Sequence, residues 1–408
     1  MTARAAAWCL PLLLAACRPA APHPLRTAFY VWHYDWTPAV VAAVQEAARE
    51  PDVSFLVMSG AVGHDTQPHP DWTALAAAGR PSVPVLRIFA PAVSWLEQDP
   101  LRLQQVVCDR FARVREARAA AGLTSEALQL DLDCPERLLD AYAAFLRDLR
   151  PALPGITLTV TALPSHLDQR AFAAVARACD GYTLQVHGLD YPRRMGDKAV
   201  ILDPRVARIA LDRAQRLGVP FDVALPTYAH ELVFDRARGV FRGLVQPADP
   251  SPDPAQTVTR VVATDPQAVQ AVLRQAGQIP NCRGVHWFRL PVRGDRLAWD
   301  AEALQAVRAG RAWEPRVQAG VRAAEDGRWL LVLTNHAALT NRFIAVSLRW
   351  PQAQGDYGLR GARVEGDAIP GVLPARLLAP VPAPGCALTA AWFRAATPPA
   401  VDVPRSAQ

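Results

Sequence analysis

Between residue 27 and about residue 310, short runs rich in β-branched and aromatic residues alternate with longer amphipathic stretches. The short runs cover 28–33, 53–58, 83–89, 128–133, 156–161, 182–187, 221–225 and 284–289, and the amphipathic stretches include 38–49, 101–120, 137–149, 169–178, 204–217 and 266–275. Runs of the first kind have the length and composition of strands, and the second kind have the 3.6-residue period of helices with one buried face. Strands that alternate with helices form parallel βα units, because a crossover is needed to bring the next strand in parallel. Eight such units in about 280 residues match an α/β fold of the (β/α)8, TIM-like barrel type. An open doubly wound sheet is the alternative. It is weakened by the absence of a Gly-rich dinucleotide or phosphate motif after any strand.

Two connections are long enough to be lids or binding loops. One, 60–84, holds His64, Asp65, His69, Asp71 and Trp72; the other, 227–265, holds a hairpin pattern at 232–234 and 240–244 around Arg238 and Gly239. Both leave the C-terminal ends of strands, the face on which barrel sites are built. After residue 310 the helical period stops. Alternating runs at 329–334, 342–350, 362–364 and 386–393 then predict a small C-terminal antiparallel β-domain. The expected organisation is a leader at 1–16, a tether at 17–26, the barrel at 27–310, the β-domain at 311–396 and a loose Pro-rich tail at 397–408.

The leader has one basic residue, Arg4, an apolar stretch through Leu14, and then Ala15, Ala16 and Cys17. It is too short to span a bilayer. It resembles the signal peptide of a bacterial lipoprotein, which implies acylation of Cys17 and anchorage to a membrane; Arg18, rather than an acidic residue, implies the outer membrane of a Gram-negative cell, facing the periplasm. The chain has seven cysteines, and the five beyond Cys17, with no paired spacing among them, predict buried thiols and no structural metal. The net charge of +6 comes almost wholly from arginine, since Lys198 is the single lysine. Arginines interleaved with acids along helices are solvated faces, so no nucleic-acid partner is expected. No cofactor motif is present.

The densest chemical signal is Leu128-Gln129-Leu130-Asp131-Leu132-Asp133-Cys134-Pro135-Glu136. Alternation along a strand turns the leucines outward and Gln129, Asp131 and Asp133 into the barrel, with the two acids near its C-terminal end. Burial and mutual repulsion raise the pKa of at least one member of such a pair, as a proton donor requires. Arg87 on the third strand is the expected counter-ion, and Gln185 and His187 share the inward phase on the sixth. His33 and Asp35 after the first strand, Tyr228 after the seventh and Trp287 on the eighth complete a set of rings and polar groups suited to a sugar, whose faces stack on aromatics while its hydroxyls need paired partners. A second constellation, His64, Asp65 and His69, offers metal ligands, but all within one loop.

Asp131-Leu132-Asp133, Gln185 and Gly284-Val285-His286-Trp287 resemble, remotely, the family-eighteen chitinase-like glycoside hydrolases. The fuller pattern of Tyr30-Val31-Trp32, Asp131 to Pro135, Thr161-Ala162-Leu163-Pro164 and Leu184 to His187 looks like a family of bacterial lipoproteins known only as a domain of unknown function, over residues 27 to 295. The chitinase-like resemblance implies a glycan ligand and an acid two residues beyond the second Asp. That position is Pro135, and Glu136 is one residue late. The reading is therefore a glycoside hydrolase-like envelope protein with Asp131 and Asp133 catalytic and Asp133 the acid; Arg87, Gln185, His187, Tyr228, Trp287, His33 and Asp35 bind substrate. A non-catalytic glycan-binding barrel is the alternative.

Overall fold

The computed structural model describes residues 24–245, 253, 255–295, 297–311, 317–336, 343–352, 354–360, 362–364, 371–382 and 387–403. The leader, Cys17, Cys386 and the last five residues lie outside them. The strands in chain order are β1 (Arg26–Val31), β2 (Val53–Val62), β3 (Ser82–Ile88), β4 (Ala127–Asp131), β5 (Thr157–Ala162), β6 (Gly181–Gln185), β7 (Phe221–Pro226), β8 (Ala229–Asp235), β9 (Phe241–Leu244), β10 (Thr257–Ala263) and β11 (Cys282–Phe288). Eight of them close a parallel barrel in the order β1-β11-β7-β6-β5-β4-β3-β2. Each expected barrel strand is present, displaced by at most a few residues.

Both faces of the barrel sheet are covered, and the outward positions are uniformly apolar, as a parallel sheet under helices demands. Leu128, Leu130, Leu158, Val160, Leu184, Val223 and Val285 are buried against a shell that includes Phe111, Tyr142, Phe145 and Phe172. Several helices start from the same local chemistry. Asp99, Asp203 and Asp265 each precede a proline and accept a hydrogen bond from a backbone N–H of the first turn. The carboxylate satisfies an orphan donor, and the proline occupies a position with no donor to lose.

Inward, the barrel is divided. Ala28, Tyr30, Leu56, Val85 and Ala224, with Trp32 and Phe288 packed on them, make an apolar half. Gln129, Asp131, Thr161, Thr183 and Asp222 are buried polar residues on β4 to β7. At the lower end β11 passes so close to β1 that a Cβ on Gly284 would lie 2.8 Å from the Arg26 carbonyl oxygen, which only glycine permits.

Three features extend the sequence reading. The 60–84 connection contains the helix Trp72–Ala78, capped by Asp71 and ended by Gly79 at φ 63°. The hairpin after β7 is two strands of a three-stranded antiparallel sheet, β10-β8-β9. Beyond the helix Ala301–Arg308, two four-stranded antiparallel sheets enclose a separate core of Leu331, Leu333, Val346, Leu348, Leu377 and Phe393. The tail is not loose throughout, since Ala400–Asp402 pairs with the strand Phe343–Arg349; three residues are too few to carry a legible alternation.

Candidate active site

The C-terminal mouth of the barrel opens into a cleft of about 600 Å³, lined by Asp131, Asp133, Arg87, Gln185, His187 and Tyr228 together with a set of aromatic rings. The acids arise as alternation dictates. Asp131 is the last residue of β4, buried, and Asp133 stands two residues beyond, its side chain 49% exposed at the mouth. Between them lies Arg87. One guanidinium nitrogen donates to Asp131 Oδ2 at 2.6 Å and another to Asp133 Oδ2 at 2.5 Å. A planar fork with several fixed N–H groups can hold two carboxylates at once, which lysine cannot do in this geometry.

Asp131 is satisfied on its other side by the Thr161 hydroxyl at 2.8 Å and by Gln185 Nε2 at 3.3 Å. Burial lifts its carboxyl above the usual range; Arg87 works against that rise and Asp133 adds to it. Burial likewise opposes the charge on Arg87, but the two carboxylates outweigh it and hold the cation. His187 packs against Phe288 and meets the Tyr228 hydroxyl through Nδ1 at 3.2 Å, while its Nε2 is buried without a hydrogen-bond partner. Burial drives its pKa down to about 4, so the ring is neutral at physiological pH.

Below this layer a second one runs across the barrel. Tyr30 donates to Gln129 Oε1 at 2.5 Å, Gln129 donates to Thr183 at 2.9 Å, Thr183 meets His286 Nδ1 at 3.0 Å, and His286 Nε2 lies 3.7 Å from Asp222. Asp222 in turn faces Arg26 and Arg283 at the lower rim. These groups fix the floor on which Asp131 stands.

Of the residues singled out from the sequence, Arg87, Asp131, Asp133, Gln185, His187 and Tyr228 converge on the cleft. Trp287 does not. It is 1% exposed and belongs to the shell between barrel and helices, because inward phase on β11 falls to His286 and Phe288. His33 and Asp35 are also corrected: the inward residues at this end are Tyr30 and Trp32, with Tyr34 at the cleft, whereas His33 sits near Arg289 and Asp295, and Asp35 is exposed beside His69. Tyr30, Trp32 and Phe288 instead form a cluster with ring centroids 5.5 to 5.8 Å apart. The alternation that located Asp131, counted from Ala28 and Gly284, would have found them. Phe89, two residues past Arg87, shares its inward phase and was open to the same count; Leu189, Tyr191 and His230 come from a loop and the inserted sheet, where no period marks them.

Glu136 lies outside the cleft, on a single turn after Pro135, and accepts from Gln169 at 2.9 Å. His64 packs against Phe89 and contacts the Thr66 carbonyl, while the His69 backbone N–H bonds Tyr34. Among the described residues no group of three or more His, Cys, Asp or Glu is placed to hold a metal ion.

Residues 78–293, just over half of the chain, match the model of a family described as Domain of unknown function (DUF3142). Among solved structures, the spore cortex-lytic enzyme SleL of Bacillus megaterium aligns at TM-score 0.51 and 11% identity, over 72% of this chain and 75% of that one. A chitinase from Chromobacterium violaceum aligns at TM-score 0.51 and 13% identity, over 71% of this chain and all of the other. At these identities the likeness is one of fold: a glycoside hydrolase-like barrel. A comparison with curated proteins gives no match.

Proposed function

The chain belongs to the DUF3142 family, and on that footing we propose that it is a glycoside hydrolase-like enzyme acting on a cell-envelope or extracellular glycan. The observation that carries this reading is the pair of carboxylates joined by Arg87 in an aromatic-lined cleft at the barrel's C-terminal mouth. Asp133 is the residue in position to donate. Exposed at the mouth, it can pass a proton to the glycosidic oxygen as the C–O bond breaks, and recover one from the incoming water. Asp131, buried below and held by Thr161 and Gln185, sets the charge that Asp133 experiences. His187 and Gln185 orient the sugar, and Tyr228 with Tyr34, Trp32 and Phe288 supplies ring surface. For an acetamido sugar, the substrate's own carbonyl would act as nucleophile, which removes the need for a second carboxylate at retaining distance.

The site of action follows from the leader: acylation at Cys17 would hold the protein at the outer membrane, facing the periplasm. A second reading has its own support. The 2.5 Å contact between Arg87 and Asp133 occupies the donor with a cation, an arrangement suited to a barrel that binds glycan without cleaving it.

The test measures reducing-end release and glycan binding in parallel, on a panel of envelope-derived and chitin-type oligosaccharides. Asp133→Asn should abolish release while affinity stays within about tenfold, since the amide is nearly isosteric but has no proton to give near neutrality. A wild type that binds but releases nothing from the whole panel supports the binder. Full turnover in Asp133→Asn moves the acid elsewhere.

A further inference from the structure

The sheet inserted after β7 does more than wall the cleft. The segment following β6 pairs with its edge: Arg194 and Val240 form an antiparallel bridge, Phe241 N–H donates to the Arg193 carbonyl at 3.0 Å, and Met195 N–H donates to the Gly239 carbonyl at 2.9 Å. From β10, the Arg260 guanidinium donates to the carbonyls of Met195 and Asp197. Two chain tips far apart in sequence are thereby fixed as one lobe.

What the lobe presents is unusual for a solvated surface. Met195 is 41% exposed, Val240 42% and Tyr191 60%. Around them, residues 190–200 and 235–242 carry six basic side chains, Arg193, Arg194, Lys198, Arg236, Arg238 and Arg242, against three aspartates. Two of those aspartates are engaged locally, while Arg242 is paired with Asp235 and Lys198 faces Asp203 at 3.8 Å, so the docking charge is assigned to Arg193, Arg194 and Arg238. Asp197 accepts the backbone N–H groups of Arg193 and Arg194, and Asp235 takes Arg242 together with the N–H groups of Ala237 and Arg238. A polyanion in water would use the arginines but leave the apolar tips with no role. A bilayer with acidic headgroups uses both, because charge draws the lobe in and Met195 and Val240 enter the interfacial layer.

We propose that this lobe docks on an anionic phospholipid surface. The docking stands apart from the glycoside reading and from any lipid at Cys17. Leu189, Tyr191 and His230 carry the same lobe into the cleft wall, so the docked molecule holds that wall at headgroup level.

The experiment compares partition of the full chain into vesicles of phosphatidylcholine alone and of phosphatidylcholine with one quarter phosphatidylglycerol. Residues 1–23, with Arg4 and Arg18, are common to every sample, so their contribution cancels between wild type and variant. The wild type should favour anionic vesicles by about tenfold or more at low salt, with the preference collapsing at 0.5 M salt, roughly the range in which surface charge is screened. Arg193→Glu/Arg194→Glu/Arg238→Glu should lower anionic partition about a hundredfold. Met195→Ser/Val240→Ser should lower it too while keeping every charge. A wild-type ratio near one overturns the proposal, and so does a charge-reversed variant that keeps the preference. Unchanged partition in the Ser variant, with competition by soluble dextran sulfate, overturns the bilayer and assigns the lobe to a polyanion instead. Should the charge-reversed variant fail to fold, Arg193→Gln/Arg194→Gln/Arg238→Gln makes the same comparison, and a preference equal to the wild type's overturns the proposal.

Discussion

Replacing Arg87 with methionine keeps much of the side-chain stem and removes the charge that joins Asp131 to Asp133. Asp131, with 5% of its side chain exposed, loses a partner at 2.6 Å and retains Thr161 and Gln185. At an effective dielectric near 20, unit charges about 4 Å apart attract by about 4 kcal/mol. Stripping one partner from a buried pair costs about 3–5 kcal/mol. The half-exposed Asp133 contributes at most about 1 kcal/mol, since water screens it. The loss must also depend on pH. Burial already raises the Asp131 carboxyl above its ordinary value of 3.8, with Arg87 opposing, and the rise grows when Arg87 is gone. A carboxyl raised in the folded state favours folding below its unfolded value, and that contribution disappears as pH climbs through the folded value. Arg87→Met should therefore cost about 3–5 kcal/mol at pH 8 and distinctly less at pH 5, where Asp131 can take up a proton. Urea unfolding followed by tryptophan fluorescence at both pH values measures this. Arg87→Met/Asp131→Asn should recover most of the loss at pH 8, because an amide needs no counter-ion. An equal loss at both pH values, or no recovery in the double variant, refutes the electrostatic account.

Three further outcomes follow from the same structure. Trp287→Ala should cost about 3–5 kcal/mol in the same unfolding assay, as for a large buried aromatic, and leave glycan affinity unchanged; lost affinity at full stability would return Trp287 to the ligand. His187, pushed down to about 4 by burial, is fully favourable above its ordinary 6.5 and loses that contribution as pH falls from 6.5 toward 4. His187→Phe should therefore flatten stability against pH within that window, and an unaltered slope across it would contradict the burial. Cys17→Ser should abolish incorporation of labelled palmitate and release the protein from membranes under conditions that screen charge; label on the variant would end the lipoprotein reading.

The barrel was legible in the sequence because each outward strand face must be apolar over several turns, a pattern that survives errors of a residue or two at the ends. The same rule placed Asp131, Asp133, Gln185 and Arg87. It misplaced Trp287, His33 and Asp35, for which residue type was weighed ahead of phase. On β11 the register shift between Cys282 and Gly284 precedes the run as read, so phase counted from Gly284 already turned Trp287 outward. The helix Trp72–Ala78 went unread although Asp71 and Gly79 mark both its ends, because its seven residues are too few for a period. Tyr191 and His230 owe their place in the cleft to the inserted sheet, whose β10 returns to pair with β8 from more than twenty residues away. No local pattern encodes that pairing.

The chain of contacts from Tyr30 through Gln129, Thr183 and His286 to Asp222 bears on how such a barrel can vary. Each member supplies a donor or acceptor to a neighbour on another strand, within an enclosed space where an unmatched polar atom costs about 1–3 kcal/mol. A single replacement strands its neighbour, whereas a matched change at two positions can be nearly neutral. Related chains should then differ here in concert: where Gln129 is exchanged for an apolar residue, the positions of Tyr30 and Thr183 should lose their hydroxyls as well. The outward leucines on the same strands are under no such constraint and are free to drift one at a time.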